Sequence, residues 1–260
     1  MANRDYIIGT GYYHSEPRKG KSGHVVVDYS NAANFYSDIW LPNTMLGSSP
    51  LRICVTNSAS TPVESPELVQ WINLAANPGH GRFSKKRQMT GWASGFVQGA
   101  LYAYMSDADY IYKEQDCLCF GDWVPTLYRE LESTGCEMLV GELVGKGWQY
   151  RIELCLTIMK WEYILPFLAQ LLSEPNGSGG SCPERKFWSI KEQSEGKIGY
   201  MSFGYGGNRP FEIDDVFYIQ KPRWNTIEHH DIHQEFIGSS IPVEELERLH
   251  EHGLIDWKER

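Results

Sequence analysis

"YIYKEQDCLCFGDW", residues 110–123, is the stretch on which the reading of this chain turns. Tyr110, Ile111 and Tyr112 form a short apolar run of residues that favour strands. The run leads directly into two acids, Glu114 and Asp116, separated only by Gln115. Carboxylates this close repel each other, and burying them is costly unless a cation or hydrogen-bond donors sit between them. A strand ending in such a pair predicts a cation site at a sheet edge. The competing reading is a solvated turn, with Lys113 pairing with one of the acids.

Upstream of that strand, helical and extended patterns alternate, which predicts an α/β sheet. "DYIIGTGYY" starts as an apolar strand and ends in Thr10, Gly11, Tyr12 and Tyr13. Residues 31–46 read as a helix up to Pro42. "LRICVTNSAS" is a second strand, stopping in small polar residues from Asn57 to Ser60. "SPELVQWINLAAN" reads as a helix with Ser65 as its cap and Pro66 in its first turn. A basic loop, "GHGRFSKKRQMT", then leads into a helix from Gly91 to Ser106. Gly91, Gly95 and Gly99 recur every fourth residue there, so one face is bare and can lie very close to a sheet or a ligand, close packing being the plainer reading. Ligands of an open α/β sheet collect beyond the carboxyl ends of its strands. The ends at Thr10–Tyr13, Asn57–Ser60 and Glu114–Asp116 are therefore expected along one edge.

Downstream the pattern is less regular. "CEMLVGELV" reads as a strand, "KWEYILPFLAQLL" as an apolar helix kinked near Pro166, and "DVFYIQK" as a late strand. "EPNGSGGSCPE" has the composition of a mobile loop, and "VEELERLHEHG" that of a surface helix stopped by Gly253. No internal repeat is visible, and the chain reads as one domain over residues 1–260.

Composition narrows the function. The formal net charge of -9 argues against nonspecific nucleic-acid binding. Nine Trp and fifteen Tyr serve either a core or a stacking surface for bases and sugars. The six cysteines (Cys54, Cys117, Cys119, Cys136, Cys155 and Cys182) include no Cys-x-x-Cys pair, which excludes a zinc ribbon. Cys117 and Cys119 alternate along an extended segment and are expected on one face. The first residues lack the apolar run of a secretion signal, so free thiols in a reducing cytoplasm are expected. The most apolar helix is too short to cross ~30 Å of hydrocarbon, and no membrane span is expected.

Residues 77–116 place in order an Asn-x-Gly, a basic stretch, a small-residue helix and a strand ending in acid-x-acid. This order resembles the nucleotide-sugar-binding half of GT-A glycosyltransferases. The likeness covers roughly residues 5–125, with residues 126–260 as the acceptor-side half. One departure is that the first acid is Glu114 rather than Asp. The resemblance implies a single GT-A-like, Rossmann-type mixed sheet flanked by helices. It implies a sugar moved from a nucleoside-diphosphate donor, a UDP- or GDP-sugar, to a hydroxyl of a glycan or other acceptor. Thr10, Gly11 and Tyr13 match positions that cradle the base, Asn57 a contact to base or ribose, and Arg87 a contact to the diphosphate. Asp116 and Glu114 match the metal ligands, for Mn²⁺ or Mg²⁺, whose oxygen preference suits a carboxylate pair. Glu184, after Pro183, matches the general base of inverting members, and an ordinary first-turn acid is its structural alternative. A late histidine joins the metal in this family; of His229, His230 and His233, His230 is taken.

Two other classes compete. The His/Asp cluster at 229–233 suits a metal-dependent hydrolase that activates water. The wealth of aromatic residues suits a sugar- or nucleotide-binding module without turnover.

Overall fold

The computed structural model describes residues 4–13, 18–19, 25–27, 33, 35–78, 90–115, 117–142, 152–174, 182–201 and 217–220. In chain order, β1 (Tyr6–Tyr12), β2 (Arg18–Lys19) and β3 (Val25–Val27) precede a π-helical turn, Phe35–Trp40. Then come α1 (Leu41–Leu46), β4 (Arg52–Asn57), β5 (Val69–Asn73), α2 (Gly91–Met105), β6 (Asp109–Lys113) and β7 (Cys117–Phe120). The chain continues through α3 (Trp123–Thr134), β8 (Met138–Glu142), β9 (Ile152–Met159), α4 (Trp161–Ser173), α5 (Pro183–Gln193), β10 (Ile198–Tyr200) and β11 (Phe217–Gln220).

Seven strands form one sheet in the order β10-β8-β9-β6-β1-β4-β5. β1 lies inside the sheet and pairs in parallel with β4 and β6, and β4 pairs in parallel with β5. β9 runs antiparallel to both β6 and β8, and β10 lies parallel to β8. The α/β architecture expected from the sequence, a mixed sheet flanked by helices, is therefore present. The small β7–β11 and β2–β3 pairs are antiparallel.

Apolar residues line both sides of the sheet, as runs such as "YIIGTGY" require when both faces are covered. On one side Tyr6, Ile8 and Tyr12 of β1 pack with Trp40 and with Trp123 and Leu127 of α3. On the other, Ile7 packs with Phe96 and Ala100 of α2, Phe167 of α4 and Phe187 of α5. Many of the aromatic residues among those described thus pack in the core. Phe96, for example, contacts Tyr110, Tyr112, Phe167 and Phe187 with ring centroids 5.3–5.9 Å apart.

The bare face of α2 packs as its spacing predicts. Thr90 caps the helix, its hydroxyl accepting the Ala93 N–H at 3.2 Å. A Cβ on Gly95 would lie 3.0 Å from the Gly11 Cα and 3.1 Å from its nitrogen. A methyl on Gly99 or Gly9 would overlap the Tyr110 hydroxyl, so the two glycines form a slot for that ring.

Three expectations are corrected. Residues 69–73, expected within a helix, form the edge strand β5. Val69 and Trp71 pack on one side of the sheet and Ile72 on the other, so pairing with β4 buries apolar groups that a helix would not place together. Pro42 does not end the first helix: the π-helical turn Phe35–Trp40 runs directly into α1, and helical structure continues past Pro42 to Leu46. The less regular second half contributes β8, β9 and β10 to the same sheet, and β9, α3 and β10 went unread in the sequence. The strand at 138–142 and the late strand at 217–220 lie where expected. α4 runs through Pro166, whose exposed position leaves the orphaned carbonyl near solvent. The loop at 175–181 and the helix expected at 243–253 lie outside the described residues.

Replacing Gly95 by Val should lower the free energy of unfolding by ~1–3 kcal/mol, since the branched side chain must displace backbone rather than a flexible neighbour. Urea denaturation measures this, and an unchanged midpoint would mean that α2 can lift off β1 freely.

Candidate functional site

The parallel strands β1, β4 and β6 end along one edge of the sheet, and their ends are tied together by hydrogen bonds. Tyr12 sits opposite Asn57, and the Ser58 N–H continues that ladder by donating to the Tyr12 carbonyl at 2.9 Å. On the other flank, the Tyr13 N–H donates to Oε1 of Gln115 at 3.2 Å. The residue between the two acids is thus a strut from the acid turn to the end of β1. Because β9 is antiparallel, its first residues come to the same edge. The Glu114 N–H donates to the Cys155 carbonyl at 2.8 Å. The Glu114 carbonyl accepts the Cys117 N–H at 3.0 Å, which closes the turn.

The residues singled out from sequence have different surroundings. Gly11 and Tyr13 are half-buried at the lip of the edge, and Glu114 is half-buried beside them. A Cβ on Gly11 would meet the Gly91 carbonyl and the Tyr112 hydroxyl at 4.0 Å each, ordinary contacts that leave room for a methyl among the described residues. Thr10 is fully buried and its hydroxyl donates to the Gly11 carbonyl at 3.3 Å. Asn57 is also buried. Its amide donates to the Ser60 carbonyl at 2.6 Å and to Oδ1 of Asn73 at 2.9 Å, and its own Oδ1 accepts the Ser60 N–H at 2.9 Å. Asn57 shapes the end of β4 with these bonds. Arg87, Asp116 and the His229–His233 cluster, with His230, lie outside the described residues. Among the described residues no three His, Cys, Asp or Glu side chains converge as a metal site.

Lys113 points into the protein and is fully buried. Its ammonium donates to Oδ1 of Asn43 at 2.9 Å and to the Thr44 hydroxyl at 2.7 Å, and lies 4.9 Å from the Trp40 ring centre. Cys117 and Cys119 share one face, as their alternation predicts, with sulfurs 4.0 Å apart. Burial raises both thiols well above their ordinary value, which makes them inert packing groups. All six cysteines are free.

Glu184 lies in the first turn of α5, as expected. It acts on a carboxylate that the sequence reading missed, Glu153, near the start of β9. Burial raises the Glu153 carboxyl above its ordinary value of 4.5. Hydrogen bonds from Cys155 and Leu154 oppose that rise, and the negative charge of Glu184 adds to it. The Cys155 N–H donates to Oε1 of Glu153 at 3.0 Å. The available signal was a single acid inside the apolar run "IELCL", because a carboxylate is rarely drawn into such a strand without a partner. Glu153 sits where the pairing of β8 with β9 shifts register, and such irregularities re-aim side chains near sites.

No protein-family model matches the sequence. No curated protein matches it either. Solved structures do. The galactosyltransferase LgtC, in complex with donor and acceptor sugar analogues, is 9% identical with a TM-score of 0.48, over 77% of this chain and 75% of that one. A glycosyltransferase involved in glycosylating the major capsid of PBCV-1 is 11% identical with a TM-score of 0.46, over 76% and 81%. Mouse xyloside xylosyltransferase 1, in its apo form, is 6% identical with a TM-score of 0.44, over 77% and 86%.

The raised Glu153 carboxyl sets a direction for pH. The folded state holds this proton more tightly than the unfolded chain. The stability it contributes is therefore complete below 4.5 and lost as pH rises through the folded value. Glu153→Gln has no proton to lose, so its stability relative to the native protein should improve between about pH 4 and about pH 8. Urea midpoints across that range test this, and parallel profiles for the two proteins would refute it.

Proposed function

We propose that this chain is a metal-dependent glycosyltransferase that moves a sugar from a nucleoside-diphosphate donor to an acceptor hydroxyl, with inversion. The observation that carries the reading is the meeting, at one sheet edge, of the half-buried strand end at Gly11 and Tyr13 with the turn that bears Glu114, tied through Gln115. A nucleotide needs an approachable backbone for its base and sugar, and a diphosphate needs charge compensation close by. Gly11 and Tyr13 offer the first. The half-buried Glu114 carboxylate supplies a hard oxygen donor that fits Mn²⁺ or Mg²⁺.

In this reading Thr10 and Asn57 shape the base pocket from behind, and Gly11 and Tyr13 line it. Arg87 reaches the diphosphate. Asp116, Glu114 and His230 hold the cation, which when bound offsets charge on the donor diphosphate and on the leaving group. Glu184 accepts the proton of the acceptor hydroxyl as that oxygen attacks the sugar carbon. UDP- and GDP-sugars are the donors proposed, with a glycan or another hydroxyl compound as acceptor. No described helix is long and apolar enough to cross a membrane. The free cysteines accord with the reducing cytoplasm proposed for it.

Two substitutions test the roles separately. Asp116→Asn removes a charge at nearly constant volume, and should abolish the stabilisation that UDP or GDP confers in the presence of Mn²⁺. Glu184→Gln should leave that stabilisation intact while slowing transfer at least ~100-fold. Thermal unfolding with UDP, GDP, CDP and dTDP, with and without Mn²⁺, followed by donor-consumption assays, separates the two effects. A native protein indifferent to every nucleotide would overturn the reading.

A further inference from the structure

The turn bearing Glu114 is held from both sides by a segment some seventy residues upstream. On the incoming side, the indole N–H of Trp40 donates to the Glu114 carbonyl at 2.7 Å. On the outgoing side, the Asn43 side chain makes two bonds to the backbone of Cys119. Its Nδ2 donates to the Cys119 carbonyl and its Oδ1 accepts the Cys119 N–H, both at 2.9 Å. The amide thus serves β7 as a strand partner would. Lys113 joins the two contacts by donating to the same Asn43 oxygen while its charge lies over the Trp40 ring. The Thr44 hydroxyl completes the set, accepting from Lys113 and donating to the Trp40 carbonyl at 2.7 Å.

Trp40, Thr44 and Lys113 are each 0% exposed and Asn43 is 1% exposed. A buried ammonium is costly and is kept where its donors are well used. The backbone around Trp40 is also unusual. Phe35–Trp40 is a π-helical turn, a rare form that occurs often near functional sites. Tyr36 stacks on Trp40 at 5.4 Å with planes 16° apart, which fixes the indole over both Lys113 and the Glu114 carbonyl.

We propose that Trp40, Asn43 and Lys113 are positioning residues: a clamp that sets where the Glu114–Cys117 turn presents its carboxylate to the cation and diphosphate. The inference rests on the transferase reading for what the turn binds. Its geometry stands on the bonds just described. None of the three residues touches substrate. They act through the backbone of Glu114 and Cys119, and loosening them misplaces the ligand without removing it.

Trp40→Phe keeps an aromatic ring for Tyr36 and Lys113 and deletes the indole N–H donor together with part of the ring's volume, for which the exchange and control readouts account. Calorimetry with UDP and with GDP, each with Mn²⁺, should show affinity weakened about 10–100-fold, the usual cost of releasing a group that orients a metal ligand. Hydrogen exchange at the Cys117 amide, which bonds the same Glu114 carbonyl, should accelerate in the free protein. Ile158→Val, a core change in β9 away from the turn, should alter neither and serves as the control for general destabilisation. Unchanged affinity and unchanged Cys117 exchange in Trp40→Phe, beside a native protein that binds, would overturn the clamp alone. Equal losses in Ile158→Val would also overturn it, by reducing the effect to stability. A native protein that binds neither nucleotide with Mn²⁺ would overturn the transferase reading, and the positioning role with it.

Discussion

The close approach of α2 to the end of β1 is the constraint on which the site depends. Gly95 faces the backbone of Gly11 with no side chain between them, and Gly99 shares with Gly9 the slot that holds Tyr110. A larger residue at either helix position would push α2 outward and take the start of the helix, near Gly91, away from Gly11. The same contact seats β6 beside β1, because Tyr110 can cross over Gly9 only where no Cβ intervenes. Packing density, rather than any single polar bond, thus brings the acid turn to the strand end it serves.

Polar bonds then fix the detail. Gln115 links the acid turn to Tyr13, Trp40 holds the Glu114 carbonyl, and Asn43 holds β7 on the far side of the turn. Lys113, immediately before the two acids, is fully buried. Its side chain leaves the edge and enters a cage of Asn43, Thr44 and Trp40. Glu153 of β9 and Glu184 of α5 lie close enough for the charge of one to raise the carboxyl of the other.

Much of the parallel half was legible because its strands are short apolar runs punctuated by small polar residues, and because glycines every fourth residue have few uses other than close packing. β5 was misread because Ser65 and Pro66 mimic a helix start, whereas the alternation of Val69, Trp71 and Ile72 across two faces decides in favour of a strand. β9 was missed because it is buried along nearly its whole length and so lacks the polar–apolar alternation of a half-exposed strand. At the site, the proximity of Gly11, Tyr13 and Glu114 followed from strand order alone. The burial of Thr10 and the use of Asn57 within its own turn did not, since both depend on which way a side chain points. Trp40 and Asn43 were out of reach of sequence reasoning for a simpler reason: nothing local links them to a turn so distant along the chain.

The most direct measurement is an anomalous difference map at the manganese edge, from crystals of the native protein grown with UDP or GDP and Mn²⁺. The account predicts one strong peak at the carboxyl end of β6, coordinated by a carboxylate oxygen of Glu114 or Asp116, with the nucleotide lying over Gly11 and Tyr13. A nucleotide bound elsewhere, or manganese bound away from the acid turn while the nucleotide occupies the edge, would contradict it.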